Sequence, residues 1–263
     1  MREDRRQMSR LERLNERYHE HHGRRQEFVF GADDRAGLIA ELVGGPDLHI
    51  LDLGCRTGAL TQHYAEGNVL VGVDVDQHAL EQASARLGIE TVWADVEEGL
   101  PFEDDSFDVV YSMLALMHLP IESRRQVFCE AARVLRPGGR MVIGVKNQNF
   151  ERLHEGDRFA AVDITDVERK QLLFTRTRGG TDLEAPWASF SPDDLARLFA
   201  TAGLMQVHLR GNCALTVWLA DSILADPAVR AVVTRFEDLL AECEPFNRYG
   251  YHLLAEAVKP ARR

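Results

Sequence analysis

An alternation of two patterns constrains this chain most. Short apolar runs and amphipathic stretches follow one another from about residue 49 to residue 145. Residues 49–53, 69–75, 91–94, 107–113 and 140–145 read as short strands, and the run at 69–75 is rich in β-branched residues. That is the pattern of strands buried on both faces. Between them, 59–66, 77–87 and 122–136 read as helices, with Gly88 ending the second and Pro137-Gly138-Gly139 closing the third. Strand and helix alternating at this spacing predict parallel βαβ units, with helices on both faces of one sheet and right-handed crossovers.

Beyond Lys146 the pattern loosens. Residues 148–189 are polar, with only scattered helical stretches. Ser191-Pro192-Asp193-Asp194 then opens a helix: Ser191 can cap, Pro192 suits the first helical position, and Asp194 favours the dipole. That helix ends near Gly203 and a strand-like run follows at 205–209. Asp226-Pro227 repeats the cap-then-proline signal and opens a helix to about Cys243, and 251–258 is a last strand. The expected fold class is α/β, a doubly wound, mostly parallel seven-stranded sheet. Residues 1–45 form an N-terminal helical lid, 46–147 the core, 148–190 an inserted helical cap, and 191–263 the end of the sheet with a helical insertion at 213–247. In such a sheet, ligands bind outside the carboxyl ends of the strands. The added segments either cover that edge and exclude water or only shield the sheet.

The chain carries 31 basic and 42 acidic residues, a formal charge of −11, so a phosphate backbone is a poor partner and nucleic acid is not expected. The N-terminal arginines, from Arg2 to Arg17, are interleaved with Glu and Asp, as on a solvated helix. No apolar run approaches the ~20 residues of a membrane helix. The first 27 residues lack the apolar stretch of an export signal, so a cytoplasmic protein away from membranes is expected. Cys55, Cys129, Cys213 and Cys243 are scattered, with no C-x-x-C pair, which suits a reducing compartment and indicates no metal. His19, His21 and His22 lie close together, but no acidic or cysteine ligand pattern accompanies them.

The densest chemistry lies at the ends of the first three strands. Ile50-Leu51-Asp52-Leu53-Gly54-Cys55-Arg56-Thr57-Gly58 is a buried strand running into a glycine-containing turn, where a ligand can approach the backbone. Such a turn alone is weak, because dinucleotide sites use one too. Asp74 follows about 20 residues later, at the end of the second strand, a place suited to ribose hydroxyls. Asp95 ends the third strand.

Together with Leu100-Pro101-Phe102, Asp105 to Val110 and Glu130 to Gly139, these motifs resemble the class I S-adenosylmethionine-dependent methyltransferases, in their small-molecule branch. The resemblance covers roughly residues 48–147 and implies the family's Rossmann-like fold and S-adenosyl-L-methionine as cofactor. It implies that Asp52 lies near the methionine amino group, with Gly54, Cys55, Arg56 and Gly58 bordering the methionine part. Asp74, beside Val75, would accept from the ribose hydroxyls. Asp95 would accept from the adenine amino group, Val96 would pack near the ring, and Ser112 and Met113 would flank the reacting end. For the acids, the competing role is capping of strand and helix ends.

One departure stands out: the family's glycine-rich turn has glycine where this chain has Arg56. A dinucleotide site needs that glycine beside a pyrophosphate, so a nicotinamide enzyme is disfavoured. S-adenosylmethionine has no pyrophosphate and forbids a side chain less.

His118, after the fourth strand, is the first candidate for a general base, with capping or packing as its alternative. His154 is a second. Tyr18 and the nearby histidines lie in the expected lid, where Arg24 or Arg25 could hold the methionine carboxylate. Asn247, Tyr249 and Tyr251 are candidates to line an acceptor pocket. The expected activity is O- or N-methylation of a small-molecule acceptor in biosynthesis. Two other readings stay open: a cofactor-binding regulator or partner protein without turnover, and a methyltransferase acting on protein or RNA. Val229, Val232, Val233 and Phe236 could join two subunits in a homodimer or simply pack in the core.

Overall fold

A computed structural model of the protein describes residues 39–153, 162–166, 171–176, 182–185, 188–216, 219 and 221–261. In chain order come β1 (His49–Leu53), β2 (Val69–Asp74), α1 (Gln77–Leu87), β3 (Glu90–Trp93), β4 (Phe107–Met113), α2 (Ile121–Val134), β5 (Leu135–Lys146) and α3 (Gln148–Leu153). Then follow β6 (Val162–Asp166), β7 (Gln171–Arg176), β8 (Asp182–Ala185), α4 (Pro192–Thr201), β9 (Met205–Asn212), α5 (Asp221–Leu224), α6 (Pro227–Leu240), α7 (Phe246–Tyr249) and β10 (His252–Val258).

Seven strands form one sheet in the order β3-β2-β1-β4-β5-β10-β9. The pairs β1–β2, β1–β4, β2–β3 and β4–β5 are parallel, while β10 runs antiparallel to both β5 and β9. The strand order therefore reverses between β1 and β4, and the crevice outside their carboxyl ends is the fold's ligand position. On one face of the sheet, α2 and α4 pack over Leu51, Leu53, Val110 and Ile143 in the main core, where Phe128 and Phe199 meet at 5.3 Å. On the other face a smaller core joins Ile50, Leu70, Val109, Tyr111 and Val142 to Tyr64, Ile39 and Val43.

The end signals at Gly88, Ser191 and Asp226 are the ones the sequence predicts, and Asp76 adds a further cap. Asp76 accepts from the amide of Ala79 at the start of α1, and Gly88 ends that helix at φ 67°. Ser191 and Asp194 form a reciprocal capping box on α4, and Asp226 caps α6. Each satisfies amides that would otherwise be orphaned in the first helical turn.

Three expectations are corrected. Residues 59–66 do not form a helix but hold only a 3-10 turn, Thr61–His63, because Thr61 and Tyr64 turn inward to bond Asp52. Among the described residues, the inserted segment beyond α3 is strand rather than helix: β6, β7 and β8 form a three-stranded antiparallel sheet. Val162-Asp163-Ile164-Thr165-Asp166 alternates apolar with polar, which is strand periodicity. The helices expected at 213–247 are present as α5, α6 and α7. Third, the apolar stripe of α6 is not core, since no residue of that helix is buried and Val232, Phe236 and Leu239 are exposed. Of the expected N-terminal lid, residues 39–43 are helical, and Arg140 ties their end down through the carbonyls of Leu42 and Val43. The rest of the lid lies outside the described residues.

Candidate functional site

Asp52 ends near the carboxyl edge of β1 and is buried. The hydroxyls of Thr61 and Tyr64 both donate to its Oδ2 at 2.6 Å. Burial pushes the Asp52 carboxyl up to about 6, against the pull of those two hydrogen bonds. Among the described residues, its Oδ1 has no hydrogen-bond donor.

The turn after β1 is set by close approach. Gly54 has φ 78°, and a side chain there would overlap that of Ala115 in the loop after β4. The two loops flanking the switch point can touch only because residue 54 is glycine. Arg56 also adopts a left-handed backbone, φ 47°, without being glycine. Its amide donates to Asp74 Oδ2 at 2.9 Å, a charge-assisted bond that offsets the backbone cost. Gly58, at φ 70°, lets the turn pack on Leu87 of α1, whose Cδ1 would lie 2.6 Å from an added Cβ. Cys55 is buried with its Sγ over Gly72, and burial drives its thiol far above the ordinary range. It fills the turn and is no thiolate.

Asp74 ends β2, and its Oδ1 accepts from the amide of Asp76 at 3.0 Å. Burial raises its carboxyl, while the Asp76 and Arg56 amides hold it down. Val75 is buried, and its carbonyl accepts from Trp93 Nε1 at 2.8 Å. Asp95 is buried just past β3, where its Oδ1 accepts from the amide of Glu97 at 2.9 Å. Val96 packs against the main core. The capping role weighed for these acids is thus real for Asp74 and Asp95.

On β4, Ser112 is fully buried and donates to the Leu53 carbonyl at 2.8 Å, tying β4 to β1 across the switch point. Met113 lies over Gly144, where a side chain would collide with its sulfur. Leu114 takes a left-handed backbone, φ 56°, so chain direction changes sharply just past the strand. His118 ends the 3-10 turn Leu116–His118 and is half-buried. The inserted segment returns against this turn, with the Ala188 amide bonding the Met117 carbonyl at 2.8 Å. Arg124 of α2 anchors that return. It donates to the carbonyls of Ala188 and Ser189 and lies 3.6 Å over the Phe190 ring. Burial lowers its guanidinium to about 10.

Beside the β4 end lies a small, mostly apolar hollow, to which Ile39 contributes from the helical turn before β1. Asn247, Tyr249 and Tyr251 do not line it: Tyr249 is exposed, and Tyr251 stacks on Phe150 and under the Lys146 ammonium. Its polar residues are Asn212 and His252, which no sequence motif marks. Thr61, Tyr64 and Arg124 are equally silent in the sequence, since their roles come from folding alone. Tyr18, His19, His21, His22, Arg24, Arg25 and His154 lie outside the described residues.

Residues 51–143 match the family described as Methyltransferase domain. Among curated proteins, the chain is similar to 27-O-demethylrifamycin SV methyltransferase of Amycolatopsis mediterranei, with 36% identity over 121 residues, 43% of this chain and 42% of that protein. The chain thus matches less than half the length of such relatives. Among solved structures, it is similar to an S-adenosylmethionine-dependent methyltransferase of Methanosarcina mazei, with TM-score 0.59 and 19% identity over 85% of this chain and 98% of that one. It is also similar to the [4+2]-cyclase SpnF, with TM-score 0.58 and 20% identity over 90% of this chain and 84% of that one. At these identities the structural likeness is one of fold.

Proposed function

We propose that this chain, whose residues 51–143 match the Methyltransferase domain family, is a class I S-adenosylmethionine-dependent enzyme that moves a methyl group to a small-molecule acceptor. The observation that carries this reading is the gathering of Asp52, Asp74 and Asp95 at the carboxyl ends of three adjacent strands, β1, β2 and β3. Three acceptor-only groups beside a backbone turn fit a ligand rich in donors: an ammonium, two ribose hydroxyls and an adenine amino group.

When bound, S-adenosylmethionine supplies a methyl group already activated by its sulfonium. Asp52 then holds the ammonium through Oδ1, while Thr61 and Tyr64 keep the carboxylate aimed. Asp74, fixed by the amides of Arg56 and Asp76, accepts from the ribose. Asp95 accepts from the adenine amino group and Val96 borders the ring. Gly54 and Gly58 shape the backbone along the methionine part, and Met113 flanks the reacting end. The protein's contribution is alignment, which can supply roughly 7–11 kcal/mol of barrier reduction. For a hydroxyl acceptor, His118 is the assigned proton acceptor, and turnover that survives His118→Ala would withdraw that assignment.

The small-molecule reading gains support from the rifamycin relative, whose named acceptor is a demethylrifamycin. A biosynthetic role, a cytoplasmic location and a homodimer joined through the exposed face of α6 belong to the same reading. Among the described residues, no helix is long and apolar enough to cross a membrane.

A second reading, a cofactor-binding protein without methyl transfer, is favoured by Arg56 in the turn. Calorimetric titration with S-adenosylmethionine, S-adenosylhomocysteine and NAD tests the site. The expected result is micromolar binding of both sulfur ligands (~−8 kcal/mol), no binding of NAD, and loss on Asp74→Ala. Binding without S-adenosylhomocysteine release in an acceptor screen would favour the second reading.

A further inference from the structure

The connection from β3 to β4 lacks the helix that usually joins parallel strands. Residues 94–106 hold neither helix nor strand, and a connection of about a dozen residues without regular structure is most often functional. It opens with Asp95 and Val96, the residues proposed to meet the adenine. Its backbone groups must find partners outside the connection, and α2 supplies many of them. Ser123, Gln126, Glu130 and Arg133 stand at i, i+3, i+7 and i+10, so they form one polar stripe along that helix. Val127, Phe128, Ala131 and Val134 of the same helix are buried and serve the core instead.

Every member of the stripe grips the connection. Ser123 Oγ donates to the Glu97 carboxylate at 2.5 Å, and Gln126 Nε2 donates to the Glu97 carbonyl at 3.1 Å. Glu130 accepts from the Leu100 amide at 3.0 Å. Arg133 makes five hydrogen bonds: to the carbonyls of Leu100 and Phe102, to Asp104, and twice to Glu130. That matches the full donor capacity of a guanidinium. The first grip reaches the site in one further step, because the Glu97 amide donates to Asp95 Oδ1 at 2.9 Å.

We infer that this polar stripe of α2 is a positioning element for the nucleoside end of the cofactor, and that it lets the site select adenine over a purine bearing a carbonyl in place of the amino group. Ser123 and Gln126 hold Glu97, and the Glu97 amide holds the carboxylate of Asp95. Glu130 and Arg133 fix the descent of the connection towards β4, so the far end cannot pull Glu97 away. An adenine amino group offers Asp95 a donor, whereas a carbonyl meets the carboxylate oxygen to oxygen. A site built to hydrogen-bond an N–H rejects an analogue lacking it only while its acceptor is held in place. The four side chains act through Glu97 and Asp95 and are positioning residues.

This inference rests on the methyltransferase reading, and its test separates the two. S-adenosylhomocysteine and S-inosylhomocysteine, which carry an amino group and a carbonyl at the same place on the purine, are titrated calorimetrically into the full chain. The unmodified chain should prefer the adenine ligand by about tenfold or more. In the double variant Ser123→Ala with Gln126→Ala, S-adenosylhomocysteine should weaken about fivefold and S-inosylhomocysteine should stay within about twofold. Ser123 is half-buried and Gln126 exposed, so that variant leaves the core alone. Arg133→Met should give the same change from the far end, and Ser123→Thr, which keeps the hydroxyl, should keep the preference. A preference that either variant leaves unmoved, including through an equal loss for both ligands, would overturn the positioning role and leave the methyltransferase reading standing. Equal binding of the two ligands by the unmodified chain would do the same. Binding of neither ligand by the unmodified chain would overturn both.

Discussion

The Tyr64 hydroxyl donates to Asp52 Oδ2 at 2.6 Å, inside the smaller core, and the Thr61 hydroxyl shares the same oxygen. The two bonds favour the ionised form of a carboxyl that burial has pushed up to about 6. Tyr64→Phe keeps the ring against Tyr111, 4.7 Å away, and removes only the donor. The Asp52 carboxyl then rises further, and less carboxylate faces an ammonium at neutral pH. Binding of S-adenosylmethionine should weaken severalfold at pH 7 and recover towards pH 8.5, the midpoint of its pH dependence moving up by about one unit. Calorimetric titrations across that range measure the shift, and an unchanged pH profile would remove Tyr64 from the site.

Asp52 also sets a stability cost of definite sign. Its folded carboxyl holds a proton up to about 6, well above the ordinary 3.8. The folded state therefore binds the proton more tightly than the unfolded chain. The stability this gives is fully present below the unfolded value and is lost as pH rises through the folded one. At pH 7.5 the buried carboxylate costs up to about 3 kcal/mol. Asp52→Asn carries no charge at any pH, and its amide oxygen still accepts from Thr61 and Tyr64. That variant should be more stable at pH 7.5 by up to about 3 kcal/mol, with the difference shrinking towards pH 4. Binding of S-adenosylmethionine should fall at least tenfold. Urea unfolding at the two pH values checks the first part and calorimetry the second.

Arg124 offers a test of the inserted segment. Its guanidinium reaches two carbonyls, those of Ala188 and Ser189, and covers Phe190. Arg124→Met fills similar space but leaves two buried carbonyls short of donors. The expected loss is roughly 2–4 kcal/mol in unfolding free energy. Hydrogen exchange should quicken at the amides of Ala188 and Phe190, which bond Met117 and Lys146. Arg124→Lys should rescue only part of this, because one ammonium cannot reproduce the planar fork.

The sheet was legible because its signals are local. The run at 107–113 and the helix at 77–87 match the structure end to end, since β-branched runs, an Asp76 cap and a Gly88 stop act within a few residues. The carboxylates could be read because strand ends in a doubly wound sheet converge by topology. What sequence reasoning missed was non-local. Residues 59–66 have helical composition, but the pull of Asp52 on Thr61 and Tyr64 stops a helix from propagating. His252 and Asn212 lie forty residues apart and become neighbours only through the β9–β10 pairing. Alternation in 162–166 predicts a strand, yet the polar surroundings masked it.

Arg56 is the one departure of this turn from the methyltransferase pattern it resembles, and the structure shows why it is tolerated. The contact to Asp74 is made by the backbone amide of residue 56, at 2.9 Å, which any residue other than proline supplies. The left-handed backbone at φ 47° is what glycine would adopt without strain. Arg56→Gly should therefore keep the Asp74 bond and relieve about 1–2 kcal/mol of backbone cost. Greater freedom in the unfolded chain takes back about 0.4–1 kcal/mol. These two ranges leave the glycine variant more stable by about 0 to 1.6 kcal/mol. S-adenosylhomocysteine affinity should stay within threefold, because the donor that positions the ribose carboxylate is intact. Thermal unfolding and calorimetry on the same preparation read both quantities. A loss of tenfold or more would mean that the guanidinium itself contacts the ligand.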